Sequence, residues 1–313
     1  MSKTKSGGWK VSLAAVLKQH NATKGDAGHK TVASAATQDK RIDVLYRAFS
    51  DLQSLGYKLD SVEQFKGRHM QAVVKAWESR ELSPSSIQNN ISIMRTFAGW
   101  IGKEGMVLGS ATYVATKGAA SRSSIATVDK SWSACGVDVS AKIAQVKAID
   151  ERVALQMELQ RAFGLRVRES WQLKPHIADQ GLYLMVNAGT KGGRDRVVPI
   201  ETAQQRALIE RAKTFAAHKN ASTSAQKLSL AQVKNHYGAV CKEAGITKAH
   251  GITSHGLRHE YANERYKAIS GQDSPVRGGE RAVSRDDDRM ARLIVAEELG
   301  HSREDVTTHY LGR

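Results

Sequence analysis

Cysteine is almost absent. Cys135 and Cys241 are the only two, far apart and in no Cys-x-x-Cys spacing, which argues against a disulfide framework and a zinc ribbon and fits a reducing cytoplasm. Long apolar runs are missing as well. No segment approaches the roughly 18 apolar residues of a membrane span. The first residues carry Lys3, Lys5 and Lys10 but no apolar stretch like the core of a signal peptide. The expectation is a soluble intracellular protein without a membrane partner. No repeat with a period of about 20–50 residues stands out, and no tract is biased enough to be low-complexity. A nucleotide cradle is lacking too: Gly189-Thr190-Lys191-Gly192-Gly193 does not have the Gly-x-x-x-x-Gly-Lys-Ser/Thr spacing, so no ATP site is expected.

Acidic charge is also in short supply. Against 31 Asp and Glu stand 47 Lys and Arg, a formal +16 with a pI near 9.8. The basic residues are spread along the chain rather than gathered in one tail, which suits a protein that wraps a duplex, although the same charge also serves as a solubilising surface.

A chain of 313 residues is long for one domain. Residues 1–30 read as a loosely ordered basic arm, with Leu13, Val16 and Leu17 hinting at a short helix. Residues 31–120 read as a helical domain. Its clearest helix starts at Ser83 and Pro84 and continues with Ile87, Ile91, Met94, Ala98 and Ile101 on one face. Segments around Ile42–Leu52 and Met70–Trp77 predict further helices. Residues 121–138 read as a linker, and residues 139–313 as a second domain. In it, Val139–Phe163 predicts a helix, and Leu182–Val186 with Arg196–Ile200 predict two strands around a glycine-rich turn. The fold class is mainly α with a small antiparallel β-sheet, α+β.

Four clusters carry chemistry. The first is Gly164-Leu165-Arg166-Val167-Arg168-Glu169, where a lone Arg would ordinarily be a solvated helix residue. The second is the glycine-rich turn with Lys191 at its tip. The third is His255-Gly256-Leu257-Arg258-His259, in which His255 and Arg258 can share a helix face. A metal site from His255 and His259 competes with that reading but lacks an evident third ligand. The fourth joins Leu299-Gly300-His301-Ser302 to Thr307-Thr308-His309-Tyr310, where a buried structural Tyr is the plain alternative.

Taken together and in this order, the clusters resemble the tyrosine recombinases, the family of phage and mobile-element integrases and Xer-type enzymes. The resemblance covers residues 139–313 firmly and 31–120 loosely, as a core DNA-binding domain upstream of a catalytic domain. It implies Arg166 as the first catalytic Arg, Lys191 as the hairpin Lys, His255 and Arg258 as the His-x-x-Arg pair, His301 as the later His, and Tyr310 as nucleophile. Arg258 and His301 lie 43 positions apart, farther than in compact members. The extra stretch around Ser270–Arg289, with Pro275, Gly278, Gly279 and Asp286-Asp287-Asp288, reads as an inserted surface loop. Three residues follow Tyr310, so a C-terminal exchange between protomers is expected to be absent or shifted to another element.

The chemistry suits these residue types. Attack on a phosphodiester builds charge on its non-bridging oxygens, which preorganised cations stabilise, and the planar Arg fork matches phosphate oxygens as a Lys cannot. The resemblance implies Tyr310 attacking with His255 as base, His301 donating a hydrogen bond and Lys191 protonating the departing 5′ oxygen. A 3′-phosphotyrosine would conserve the bond for rejoining, with no cofactor and no metal. The implied partners are double-stranded DNA and further copies of the chain, as a tetramer on two sites in a bacterial cytosol or nucleoid, with integration or excision of a mobile element as the purpose. Two alternatives stay open: a type IB topoisomerase-like enzyme and a non-catalytic basic DNA-binding regulator.

Overall fold

In a computed structural model, residues 8–24, 31–115, 125–190, 193–279, 283–301 and 303–313 are described. They form two compact units, residues 1–123 and 124–313. The mainly helical class with its small antiparallel sheet is borne out.

The first unit holds α1 (Gly8–His20), a short hairpin of β1 (Thr23–Lys24) and β2 (Thr31–Val32), then α2 (Ala35–Ser54), α3 (Gly67–Ser79), α4 (Pro84–Trp100) and α5 (Ser110–Tyr113). Ser83 caps α4 as its sequence predicts, its hydroxyl accepting the Ser86 amide at 3.3 Å with Pro84 in the first turn. The core is aromatic: Phe97 meets the Phe49 and Phe65 rings edge-on at 5.5 and 5.9 Å. Here the structure corrects the expected loose arm over 1–30. Trp9, Leu13 and Leu17 recur every four residues, lie buried in this core, and Trp9 stacks on Phe49 at 5.6 Å. Burying such side chains is worth about 1.5–3 kcal/mol each, enough to hold α1 against the unit despite its polar flanks. Residues 1–7 and 25–30 of that stretch lie outside the described residues.

The second unit contains α6 (Val139–Ile149), α7 (Glu151–Phe163), α8 (Val167–Gln172), α9 (Pro175–Ala178), the hairpin β3 (Tyr183–Val186) and β4 (Arg196–Pro199), α10 (Ala203–Phe215), α11 (Leu230–Glu243), α12 (His255–Ser270), α13 (Arg285–Glu298) and α14 (Thr308–Leu311). The expected continuous helix 139–163 is two helices. Asp150 leaves helical backbone at φ −152°, and its carboxylate accepts the Val153 amide at 2.7 Å, capping α7.

Helix α12 is the axis of this unit. Every residue from Gly256 to Asn263 is buried, because one side packs with α7, α13 and the hairpin, and the other packs on a second core of Trp132, Ile143, Met157 and Val240. Trp132 corrects the linker expected over 121–138: it is fully buried, and its indole N–H donates to the Thr253 carbonyl at 2.7 Å, so residues 125–138 belong to the second unit.

The stretch expected as an inserted surface loop over 270–289 also differs. Ser274 is fully buried and donates to the Asn263 side chain, while Asp286, Asp287 and Asp288 form the first turn of α13, where carboxylates favour the helix dipole. No helix among the described residues is long and apolar enough to cross a membrane.

Candidate active site

Burial forces the polar end of α12 to find partners, and those partners define the site. Arg258 is fully buried. Its Nε donates to the phenolic oxygen of Tyr310 at 3.1 Å, and its two terminal nitrogens donate to the carbonyls of Gly164 and Leu299. Burial lowers it to about 10, which still leaves it charged at neutral pH.

Gly164 has to be a glycine. It ends α7 in the left-handed region at φ +58°, and a Cβ there would lie 2.5 Å from the Tyr261 ring and 2.8 Å from Leu299. Its carbonyl therefore reaches Arg258, and the chain turns to place Arg166 at the start of α8.

Arg166 is half-buried. Nη1 pairs with Glu169 at 2.7 Å, and Nη2 donates to the same Leu299 carbonyl that Arg258 uses, at 3.2 Å. Glu169 is fully buried and also takes a two-pronged pair from Arg196 at 3.0 and 2.8 Å. Burial alone would raise the Glu169 carboxyl, but the Arg196 hydrogen bonds and the charges of both arginines hold it at about 2. One carboxylate thus locks two guanidinium groups.

Around the Tyr310 ring stand three histidines: His259 at 4.8 Å, His255 at 5.9 Å and His301 at 6.0 Å between ring centroids. His301 lies 3.5 Å from Arg258 Nη2. Burial, then the Arg258, Arg166 and Arg196 charges, lower His301 to about 4. His255 opens onto solvent at the start of α12, yet the crowding of its ring and the charges of Arg258, Arg166 and Lys130 keep it below its ordinary value. His259 is buried and lowered to about 3, chiefly by desolvation, and its Nδ1 has no hydrogen-bond partner among the described residues. All three are neutral at pH 7. They border, with Lys130, Val306, His309 and Tyr310, a cavity of about 270 Å³. Among the described residues no three His, Cys, Asp or Glu side chains group as metal ligands.

Tyr310 is itself buried and tied down on both sides. The Thr308 carbonyl accepts the Ala126 amide at 2.8 Å, and Arg292 donates to the Gly312 carbonyl at 3.0 Å. Five of the six residues expected at the site, Arg166, His255, Arg258, His301 and Tyr310, therefore converge. The sixth, Lys191, lies outside the described residues. The six residues expected at the site did not include Glu169, Arg196 or His259, although Glu169 and His259 stand within the first and third clusters. For Glu169 a signal existed, since it sits three residues after Arg166 and one helical turn brings such a pair together.

Two family models match the chain: the one described as "Integrase" over residues 122–264 and the one described as "Phage integrase, N-terminal" over residues 15–107. The chain belongs to the tyrosine recombinase family. As a site-specific DNA recombinase it is an enzyme of strand cleavage and rejoining. The integrase match ends before His301 and Tyr310, so the place of those two residues rests on geometry. Solved structures share the recombinase's fold. A lambda integrase dimer bound to a COC′ core site is 17% identical with a TM-score of 0.59, covering 96% of this chain and 94% of that one. The Tn1549 transposon integrase with transposon right-end DNA is 12% identical at 0.58, covering 96% and 95%. XerH bound to a palindromic difH substrate is 17% identical at 0.53, covering 87% and 74%. A comparison of the recombinase with curated proteins by sequence returned no match.

Proposed function

We propose that this recombinase cleaves double-stranded DNA with Tyr310. The phenolic oxygen attacks the scissile phosphorus, the bond to the 5′ oxygen breaks, and a 3′-phosphotyrosine holds the strand until a 5′ hydroxyl from another duplex reverses the step. The observation that carries this reading is the 3.1 Å hydrogen bond from Arg258 Nε to the Tyr310 oxygen. It puts a permanent cation at the atom that must become a nucleophile and leaves both beside the neutral ring of His301.

His255 takes the phenol proton, for which it must be neutral beforehand, and its lowered pKa supports that. Arg258 and Arg166 bind the non-bridging oxygens by exchanging carbonyl partners for phosphate, and His301 adds a hydrogen bond. Lys191, from the β3–β4 turn, protonates the departing 5′ oxygen. The substrate is a duplex carrying a specific site; the excess of 16 positive charges supports backbone contacts along it. The helical first unit is the core-binding domain. Assembly is as a tetramer on two sites, and the biological outcome is integration or excision of a mobile element. A lambda integrase tetramer on a Holliday junction and a transposon integrase are among the structures that share the fold.

The test is covalent capture. Nicked duplexes with randomised arms are incubated with the protein and with Tyr310→Phe in the presence of chelator, and protein-linked DNA is isolated after denaturation. A Tyr310-dependent 3′ adduct supports the reading. Binding without any adduct favours a DNA-binding regulator instead.

A further inference from the structure

Among the described residues bordering the cavity in front of Tyr310, Lys130 is the one lysine or arginine. It was not among the six residues expected from the sequence. Its side chain is exposed and makes no hydrogen bond or ion pair with any described residue. We propose that Lys130 is a further catalytic residue, a cation that contacts a non-bridging oxygen of the scissile phosphate. This rests on the reading of Tyr310 as nucleophile.

The backbone that presents Lys130 is fixed. Its carbonyl would lie 2.7 Å from a Cβ on Gly256, and the Trp132 ring 2.6 Å from the same atom, so the strap 129–133 sits in the notch left by that glycine at the start of α12. Trp132 and Ser131 are fully buried. Arg277, from the turn Pro275–Arg277 in the extra stretch, binds Asp129 at 2.8 Å, Ser131 at 3.0 Å and Glu260 at 3.0 Å. Ser133 closes the far end on Glu260 at 2.6 Å. The stretch that separates Arg258 from His301 thus holds the strap against α12.

Charge accounting points the same way. Arg258 must exchange a carbonyl partner before it can take a phosphate oxygen, and Arg166 is already paired with Glu169 and bonded to Leu299. Among the described residues bordering the cavity, Lys130 is the one side-chain cation with no hydrogen bond or ion pair to give up, and its charge adds to the lowering of both His255 and His259. A phosphate entering the cavity gains an ammonium partner without breaking an existing ion pair, and the strap's rigidity limits the ordering cost to the lysine side chain.

The experiment measures single-turnover cleavage by Lys130→Ala, Lys130→Gln and Lys130→Arg at saturating protein, on nicked duplexes first captured covalently by the wild-type protein. Ala and Gln are expected to slow cleavage about 10- to 100-fold, less than loss of a fully preorganised donor, with Arg retaining most of the rate and all three melting with the wild type. The loss should persist when sulfur replaces the 5′-bridging oxygen, because a thiolate leaves without a proton. Rescue by that sulfur would make Lys130 the acid and overturn the proposal. Unchanged saturated rates with weaker binding would overturn it too, reducing Lys130 to a general DNA contact. No adduct with wild-type protein would sink the nucleophile reading itself, a result distinct from either.

Discussion

Arg258 donates its Nε proton to the Tyr310 oxygen at 3.1 Å while its other two nitrogens serve the carbonyls of Gly164 and Leu299. A lysine reaches only one of these three directions. Arg258→Lys should therefore keep a buried charge but lose the bond to Tyr310, lowering single-turnover cleavage about 100-fold. Arg258→Ala would instead strand the Tyr310 oxygen and the Gly164 carbonyl, with Leu299 left to Arg166, and its defect would mix folding with chemistry. Paired melting curves and adduct rates separate the two. Wild-type cleavage by Arg258→Lys would remove this hydrogen bond from the mechanism.

Glu169 is the deeper dependency. It pairs with both Arg166 and Arg196 and has no exposed surface of its own. Glu169→Gln leaves two guanidinium groups short of charge, at a cost of about 3–5 kcal/mol, which for a unit of this size lowers the melting temperature by roughly 10 °C. Arg166, no longer fixed, should lose cleavage rate more than DNA affinity. A variant with wild-type melting would mean that water substitutes for the carboxylate.

The sequence carried the residues that sit on local, periodic features. The Ser83-Pro84 start, the strand pair around the glycine turn and the His255-Arg258 spacing all depend on neighbours within a few positions, where capping and helical period act directly. What escaped was set by distant packing. Trp132 looked like a linker residue because its burial is created by Thr253 and Gly256, far along the chain. The site's dependence on Arg196 was hidden in the same way, since a strand residue gives no sign that its guanidinium will reach Glu169. The arm reading failed for a different reason: Trp9, Leu13 and Leu17 form a narrow stripe among polar residues, and only the aromatic core of Phe49 reveals it as a docking face.

Protonation gives a two-sided prediction. His255 must be neutral to accept the Tyr310 proton, and both it and His301, which lies at about 4, are depressed in the free enzyme. The acid limb of kcat/KM, which reports the free enzyme, should fall well below pH 6.5; half-loss at 6.5 would contradict the site's electrostatics. Stability moves with the same groups. Buried His259 stays neutral to about 3, whereas the unfolded chain binds its proton below about 6.5. Stability is then fully present above pH 6.5 and declines as pH falls from there, by roughly 2 kcal/mol at pH 5 for this group. Replacing His259 with Phe should flatten that slope in melts taken from pH 7.5 to 5.

Helix α1 offers the sharpest check on the first unit. Trp9 packs on Phe49, donates its indole N–H to Gln53 at 3.2 Å, and leaves only 7% of its surface exposed. Trp9→Ala removes a large aromatic from a closed core and should cost about 3–5 kcal/mol, against less than about 0.5 kcal/mol for Val11→Ala on the exposed face of the same helix. Urea unfolding followed by tryptophan fluorescence reads the difference, with Trp77, Trp100 and the second unit's tryptophans still reporting in the variant. If α1 were a detachable arm, both substitutions would leave the unfolding midpoint where it is; the aromatic contacts require that only the second does.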